Sequence, residues 1–238
     1  MLKVKNLNKL KSGKSILREI NFEIDHGRVG IFLGNSGVGK STLLRVLNHL
    51  ESYDSGTFSL DGKPFDLKNV NKDHTIGLVF QHFNLFENLS VIDNITLALI
   101  KSQKKTKEEA SSIARQLLEH YGLSDKSNSS VDKLSGGQKQ RLAIARTIAL
   151  DTQIICMDEP TSALDPRLTN QVAECITELA NENRIVLIAS HDTKLVSKLK
   201  SQLFLMKEGT IAETGFSEDC INNPGAYPLL SNFLSGQC

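Results

Sequence analysis

The chain has 238 residues, 39% of them hydrophobic and 23% charged, with 28 basic against 27 acidic side chains. A chain of this size and ordinary composition buries a sizeable core without staples. Its net charge of +1 supplies no global field to recruit nucleic acid or an anionic membrane surface.

Cys156, Cys175, Cys220 and Cys238 are scattered, with no CxxC pair. That pattern argues against a disulfide framework or a zinc site and fits a reduced compartment. The opening "MLKVKNLNKLKSGKS" is basic but lacks the apolar centre of a signal peptide. No apolar run approaches the ~18–20 residues that a spanning helix needs. The chain is therefore expected in the cytoplasm, reaching a membrane only through a partner.

Residues 1 to about 30 alternate apolar and polar, as in "ILREINFEI", the period of half-exposed strands. After a turn at Gly27, "VGIFL" reads as a short, fully buried strand that runs into Gly34 and then a helix over Ser41–Leu50. Strands and Gly/Asp turns return from Ser55 to Phe80. The middle is helical: Thr106 and Glu109 are spaced as a capping box, and Ala110, Ile113, Ala114, Leu117, Leu118 and Tyr121 continue a helical stripe. The basic run Lys101, Lys104, Lys105 and Lys107 reads as a solvated helix start. A polar stretch at 123–133 precedes a helix over Ser135–Leu150. "QIICM" and "RIVLIA" are buried strands separated by a helix near Leu168–Asn181, and the last 25 residues add a turn and a short helix. The whole is a single α/β domain over 1–238, interrupted by a helical insert at about 82–133. In such sheets, ligands sit at the carboxyl ends of the strands.

The chemistry falls at those ends. "GNSGVGKST" (Gly34, Asn35, Ser36, Gly37, Val38, Gly39, Lys40, Ser41, Thr42) matches G-x-x-x-x-G-K-[ST] between a strand and a helix. Its glycines let backbone N–H groups turn onto phosphate oxygens, Lys40 would pair with the β- and γ-phosphates, and the Ser41 hydroxyl would reach Mg²⁺. "QIICM" ends in Asp158, the expected holder of Mg²⁺, and Glu159, placed to orient or deprotonate an attacking water. "RIVLIA" ends in Ser190-His191-Asp192, where His191 can touch the γ-phosphate or steady the catalytic acid. Gln81 ends the strand "TIGLVF", where its amide can touch metal or water and move with the insert.

In "LSGGQKQR", Ser135 and Gln138 are spaced as a capping box. Gly136 and Gly137 inside the first turn nevertheless cost roughly 1 kcal/mol each against alanine. They point to close approach of an anion to the backbone, and spacing leaves open whether that anion is bound by the same chain.

The motifs in this order resemble the ATP-binding cassette (ABC) ATPases over nearly the whole chain. "VFQHFNLFENLSVIDNI" and "DEPTSALDP" resemble the ATPase subunits of bacterial polar amino-acid importers. The resemblance implies a P-loop NTPase (RecA-like) core, an N-terminal antiparallel β subdomain and an inserted helical subdomain. It also implies ATP with Mg²⁺, and a head-to-tail dimer in which Ser135, Gly136, Gly137 and Gln138 of one copy close on the ATP of the other. Asp165 would lie at the dimer seam, Glu159 would be the base and His191 the switch residue. Gln81, also a metal contact, would signal to a membrane permease docked near Phe83–Leu89, itself served by a solute-binding protein. The expected location is peripheral, on the inner face of a bacterial plasma membrane. The family's N-terminal adenine-stacking ring is absent: that position falls near Lys11, beside Leu10, and no Tyr or Phe precedes Phe22. Two other readings are a mechanical ABC regulator of envelope or cell division, whose relatives often read "TGNLD" in place of "TSALD", and an importer ATPase for another small polar nutrient.

Overall fold

The structure is a computed structural model that describes residues 1–162 and 166–236. Its N-terminal sheet is antiparallel, in the order β2-β1-β4-β5, from β1 (Leu2–Lys11), β2 (Lys14–Ile24), β4 (Ser55–Leu60) and β5 (Lys63–Pro64). The alternation in β2 sorts as its period requires: Ile20, Phe22 and Ile24 are buried, while Glu19, Asn21 and Glu23 are exposed.

The main sheet has six strands, β3 (Val29–Leu33), β6 (Ile76–Val79), β7 (Ile154–Asp158), β8 (Ile185–Ala189), β9 (Ser201–Lys207) and β10 (Thr210–Phe216), in the order β10-β9-β3-β8-β7-β6. All its pairings are parallel except β9–β10. Strands β3, β7 and β8 are buried at every residue, as expected when both faces of a parallel sheet are covered. Successive residues of β3 enter different cores. Phe32 faces α1 (Lys40–Leu47) and the N-terminal sheet. Ile31 and Leu33 face the core that holds the helices α2 (Val91–Gln103), α3 (Lys107–His120), α4 (Gly136–Ile148) and α5 (Pro166–Asn181). Phe22, Phe32 and Phe204 form a ring cluster with centroids 5.0–5.5 Å apart, so β2 is tied to β3 and β9. Each such pair contributes ~0.5–1.5 kcal/mol beyond its buried area.

The Thr106–Glu109 capping box forms, with Glu109 N donating to Thr106 Oγ1 at 3.2 Å and Thr106 N to Glu109 Oε2 at 2.8 Å. Several expectations are revised. Helix α1 stops at Leu47, because Asn48 caps it and His49 turns left-handed at φ 51°. The basic run marks the α2–α3 junction instead of one helix start: Lys101 is in the last turn of α2, Lys104 caps it in the left-handed region, and Lys107 opens α3. The chain end holds β9, β10 and two short helices, α7 (Ser217–Asn222) and α8 (Pro228–Leu234), following the one-turn α6 (Thr193–Val196). The run "LFLM" in β9 is too short for its period to separate strand from helix; pairing with β3 decides it.

Among the described residues, no helix is long and apolar enough to cross a membrane. Burial pushes the Cys156 thiol up to about 12 and the Cys175 thiol up to about 11. At pH 8 both are neutral, and the thiol is a poor nucleophile compared with the thiolate. Iodoacetamide at that pH is expected to leave Cys156 and Cys175 unlabelled in the native protein and to label both after denaturation, as read by peptide mass spectrometry.

Candidate nucleotide-binding site

The loop after β3 turns where side chains would collide. Gly34, at φ 143°, has no room for a Cβ, which would strike the Met206 carbonyl oxygen of β9. At Gly39, φ 106°, a Cβ would lie 2.8 Å from the Ile16 carbonyl oxygen. These two glycines let the loop fold back and present its N–H groups at the start of α1, the arrangement that binds phosphate.

The loop borders a cleft of about 420 Å³ whose walls bring together Asn35, Ser36, Gly37, Gly39, Lys40, Ser41, Thr42, Gln81, Glu159 and His191. Gly34 and Val38 line a neighbouring hollow with Arg18, Met206 and Phe233. Lys40 is buried, and its Nζ donates to the carbonyls of Gly34 at 2.7 Å and Asn35 at 3.1 Å. Burial pushes the pKa of its ammonium below the ordinary lysine value, against the opposing pull of Glu159 and Asp158. An incoming phosphate would restore to that cation the charge partner which burial denies it.

Asp158 is almost fully buried at the end of β7 and accepts the Ser41 hydroxyl at 2.7 Å. Its other oxygen lies 3.8 Å from Arg45 Nη2. The Ser41 hydroxyl and the Asp158 carboxylate are hard oxygen donors, and Gln81 lines the same cleft as Ser41; that donor chemistry fits Mg²⁺ when phosphate oxygens and waters complete the shell.

The parallel register Asp158↔Ala189 sets the next residues side by side. Glu159 N donates to Ala189 O at 2.8 Å, Glu159 Oε1 lies 2.9 Å from His191 Nδ1, and Ser190 Oγ donates to Glu159 Oε2 at 3.5 Å. Glu159 sits at φ 48°, a left-handed conformation that is uncommon outside glycine and here aims the carboxylate into the cleft. Gln81 Nε2 donates to Ser162 Oγ at 3.4 Å, and Ser162 Oγ donates to the Glu159 carbonyl at 3.2 Å. A chain of contacts thus runs from Gln81 through Ser162 to Glu159 and His191. Sequence reasoning missed Arg45 and Ser162, and gave Ser190, at the end of "RIVLIA", no role of its own. Arg45 left a signal, four residues after Ser41 and so on the same helix face.

The signature segment does not border this cleft. Ser135 and Gln138 form their capping box, at 2.9 and 3.3 Å, and cap α4. Gly137 is buried, and a Cβ there would lie 2.6 Å from Leu168 Cδ2, so its bare backbone also serves the packing of α4 on α5. The first-turn N–H groups of α4 still lack intrahelical acceptors. Asp165 lies outside the described residues.

Residues 17–162 match the family model for ABC transporters. The chain is 38% identical over 229 residues to the glutamate transport ATP-binding protein GluA of Corynebacterium efficiens, and equally so to the glutamate/aspartate import ATP-binding protein GltL of Escherichia coli K12. It is 36% identical over 229 residues to the glutamine transport ATP-binding protein GlnQ of Bacillus subtilis. Each of these alignments covers 94% of both chains. The chain belongs to the ABC transporter ATP-binding family.

Solved cassettes share the fold. A dimeric ATP-binding cassette in a post-hydrolysis state, bound to ADP and Pi, superposes at TM-score 0.80 and 30% identity over 91% of this chain and 99% of that one. A cassette from Clostridium perfringens, part of the cbiONQ complex, superposes at 0.83 and 30% over 94% and 92%. The α/β architecture expected for an ABC ATPase is thus the architecture of this chain.

The α4–α5 contact of this cassette is measurable. Gly137→Ala is expected to lower stability by ~1–2 kcal/mol through overpacking. Adding Leu168→Ala should recover part of that loss, as read from urea denaturation midpoints.

Proposed function

We propose that this cassette is the ATP-hydrolysing subunit of a bacterial importer of polar amino acids. It would work as a head-to-tail dimer beneath a membrane permease, on the inner face of the plasma membrane, with a solute-binding protein delivering the cargo. The observation that carries the reading is the phosphate cleft, in which Lys40, Ser41, Glu159 and His191 converge, with Asp158 bonded to Ser41 behind it, while the signature segment stays outside. A second copy would supply that segment. The relatives named for glutamate, aspartate and glutamine transport support the choice of cargo.

In this reading the loop amides and Lys40 hold the β- and γ-phosphates, and the first turn of α4 in the second copy approaches the γ-phosphate from across the seam. Ser41, Asp158 and Gln81 would hold Mg²⁺, which when bound draws charge off the phosphate oxygens. Glu159 Oε1 takes a proton from the attacking water. His191, hydrogen-bonded to that carboxylate, holds it in place and is exposed enough to reach the γ-phosphate. Gln81 would report the state of the site to the helical insert at about 82–133.

The insert and the core enclose a groove of about 560 Å³, which includes Phe80, Asn84, Phe86, Leu97, Lys101 and Arg146. It adjoins the Phe83–Leu89 segment, and Phe86 is 45% exposed there. We assign the permease to this groove. The adenine would rest near Leu10, exposed on the β1–β2 hairpin, in place of an aromatic ring.

Glu159→Gln is expected to bind ATP but hydrolyse it at least ~10²-fold more slowly, accumulating a nucleotide-trapped dimer on size exclusion. Near-normal turnover would remove Glu159 from the role of base. In the assembled complex, ATPase activity is expected to rise when the binding protein carries a polar amino acid; flat activity across all of them would remove the cargo assignment.

A further inference from the structure

Helix α4 carries the signature segment at one end and, in its last turn, Arg146, which the phosphate chemistry leaves unused. Arg146 reaches out of α4 to the loop that follows β6. Nη1 donates to the Asn84 carbonyl at 2.7 Å and Nη2 to the Phe83 carbonyl at 3.2 Å, while the guanidinium lies over the Phe86 ring, 5.7 Å from its centroid. The planar fork offers two N–H groups to the carbonyls and its face to the ring in one preorganised geometry, which an ammonium on a flexible stem does not. Burial pushes the pKa of Arg146 below the ordinary arginine value, and these partners are dipoles and a ring face, not a carboxylate.

The loop needs such a tie. Phe83 and Asn84 are both left-handed, at φ 62° and 48°. Bulky residues adopt that conformation at a cost, and it persists only where the surroundings hold it. The far end of the loop has its own anchor in buried Asn94 of α2, which accepts from Phe86 N at 2.8 Å and donates to Phe86 O at 3.1 Å. Gln81, at the near end, touches Ser162 in the cleft at 3.4 Å. The side-chain bonds from Arg146 fall between these two points. Helix α4 is itself pinned on β6, where a Cβ at Gly77 would lie 2.6 Å from Thr147 Cγ2. About 16 Å of rigid helix separates Ser135 from Arg146.

We infer that Arg146 is a positioning residue that fastens the loop of Gln81 to the signature helix, so that the placement of Gln81 in the phosphate cleft follows the position of α4. The inference rests on the role given to Gln81 in the proposed ATPase. A shift of the signature end, as another molecule closes on it, is carried along α4 to the Phe83–Asn84 carbonyls and from there to Gln81.

The test uses the full chain with Mg²⁺ and ATP. Arg146→Lys keeps the charge but loses the fork. Amide exchange over residues 81–86 is expected to rise ~10-fold, with the amides of residues 36–44 within about twofold of wild type. In the same variant kcat should fall ~10-fold, with KM for ATP changed less than about twofold. In a Gln81→Ala background, the substitution should change kcat less than about twofold, because the two residues act in series. Unchanged exchange in the loop, a uniform rise over the whole chain, or a full kcat loss persisting without Gln81 would each overturn the assignment. If Arg146→Lys does not fold, Phe86→Leu removes only the ring beneath the guanidinium. It is expected to raise loop exchange ~3-fold, and no change there would overturn the inference equally. A wild-type chain without ATPase activity would sink the proposed function, and the exchange measurement would still decide the role of Arg146.

Discussion

The hydrogen bond from Ser41 to Asp158 joins two points 117 residues apart, and the phosphate site depends on it. It requires the loop after β3 and the end of β7 to arrive at the same height on the sheet. Strand β8 lies between them and is registered in parallel on both, Phe32 and Asp158 each opposite Ala189. Because parallel strands all finish at one edge, the residues following β3, β7 and β8 are delivered together: the loop with Lys40, then Glu159, then Ser190 and His191. A slip of one residue in β7 would move Asp158 off Ser41 and Glu159 off Ala189, exchanging the two cores that its alternate side chains enter.

That precision rests on a sheet buried on both faces. Alternate residues of β3 enter separate cores, one built on α1 and the N-terminal sheet, the other on α2 to α5. The Phe22–Phe32–Phe204 cluster couples the N-terminal sheet to the central strands, so the β1–β2 hairpin is held at a set height above the phosphate loop. Gly39 makes the proximity explicit, since its missing side chain is what allows the Ile16 carbonyl to sit there. Tight packing against β6 at Gly77 and against α5 at Gly137 holds α4 near both of its ends.

Much of this was legible in the residue order. The phosphate loop, the strand-end acids and the Thr106 and Ser135 caps are local patterns in which a few consecutive residues carry the geometry. The β9–β10 hairpin was not legible, because a four-residue apolar run has no period of its own and becomes a strand only by pairing with β3. The Arg146 contacts were hidden for a related reason. Arginine in the last turn of a helix commonly serves that helix's own carbonyls, and nothing in the local text shows that it reaches the carbonyls of residues 62 and 63 positions earlier. Gly137 was legible as a demand for space but not as to what fills it, which is Leu168 from the next helix.

Sequence alone determined the family and the α/β class and singled out the candidate phosphate-loop and strand-end acid residues, because those depend on side-chain chemistry at short, fixed spacing. Only the tertiary structure decided the order of the strands, the pairing of Glu159 with His191 and the separation of the signature segment from the cleft. It also decided the fastening of the Gln81 loop to α4. Each of these is a contact between residues far apart in the chain, and such contacts are set by strand register and core packing, which no local pattern encodes.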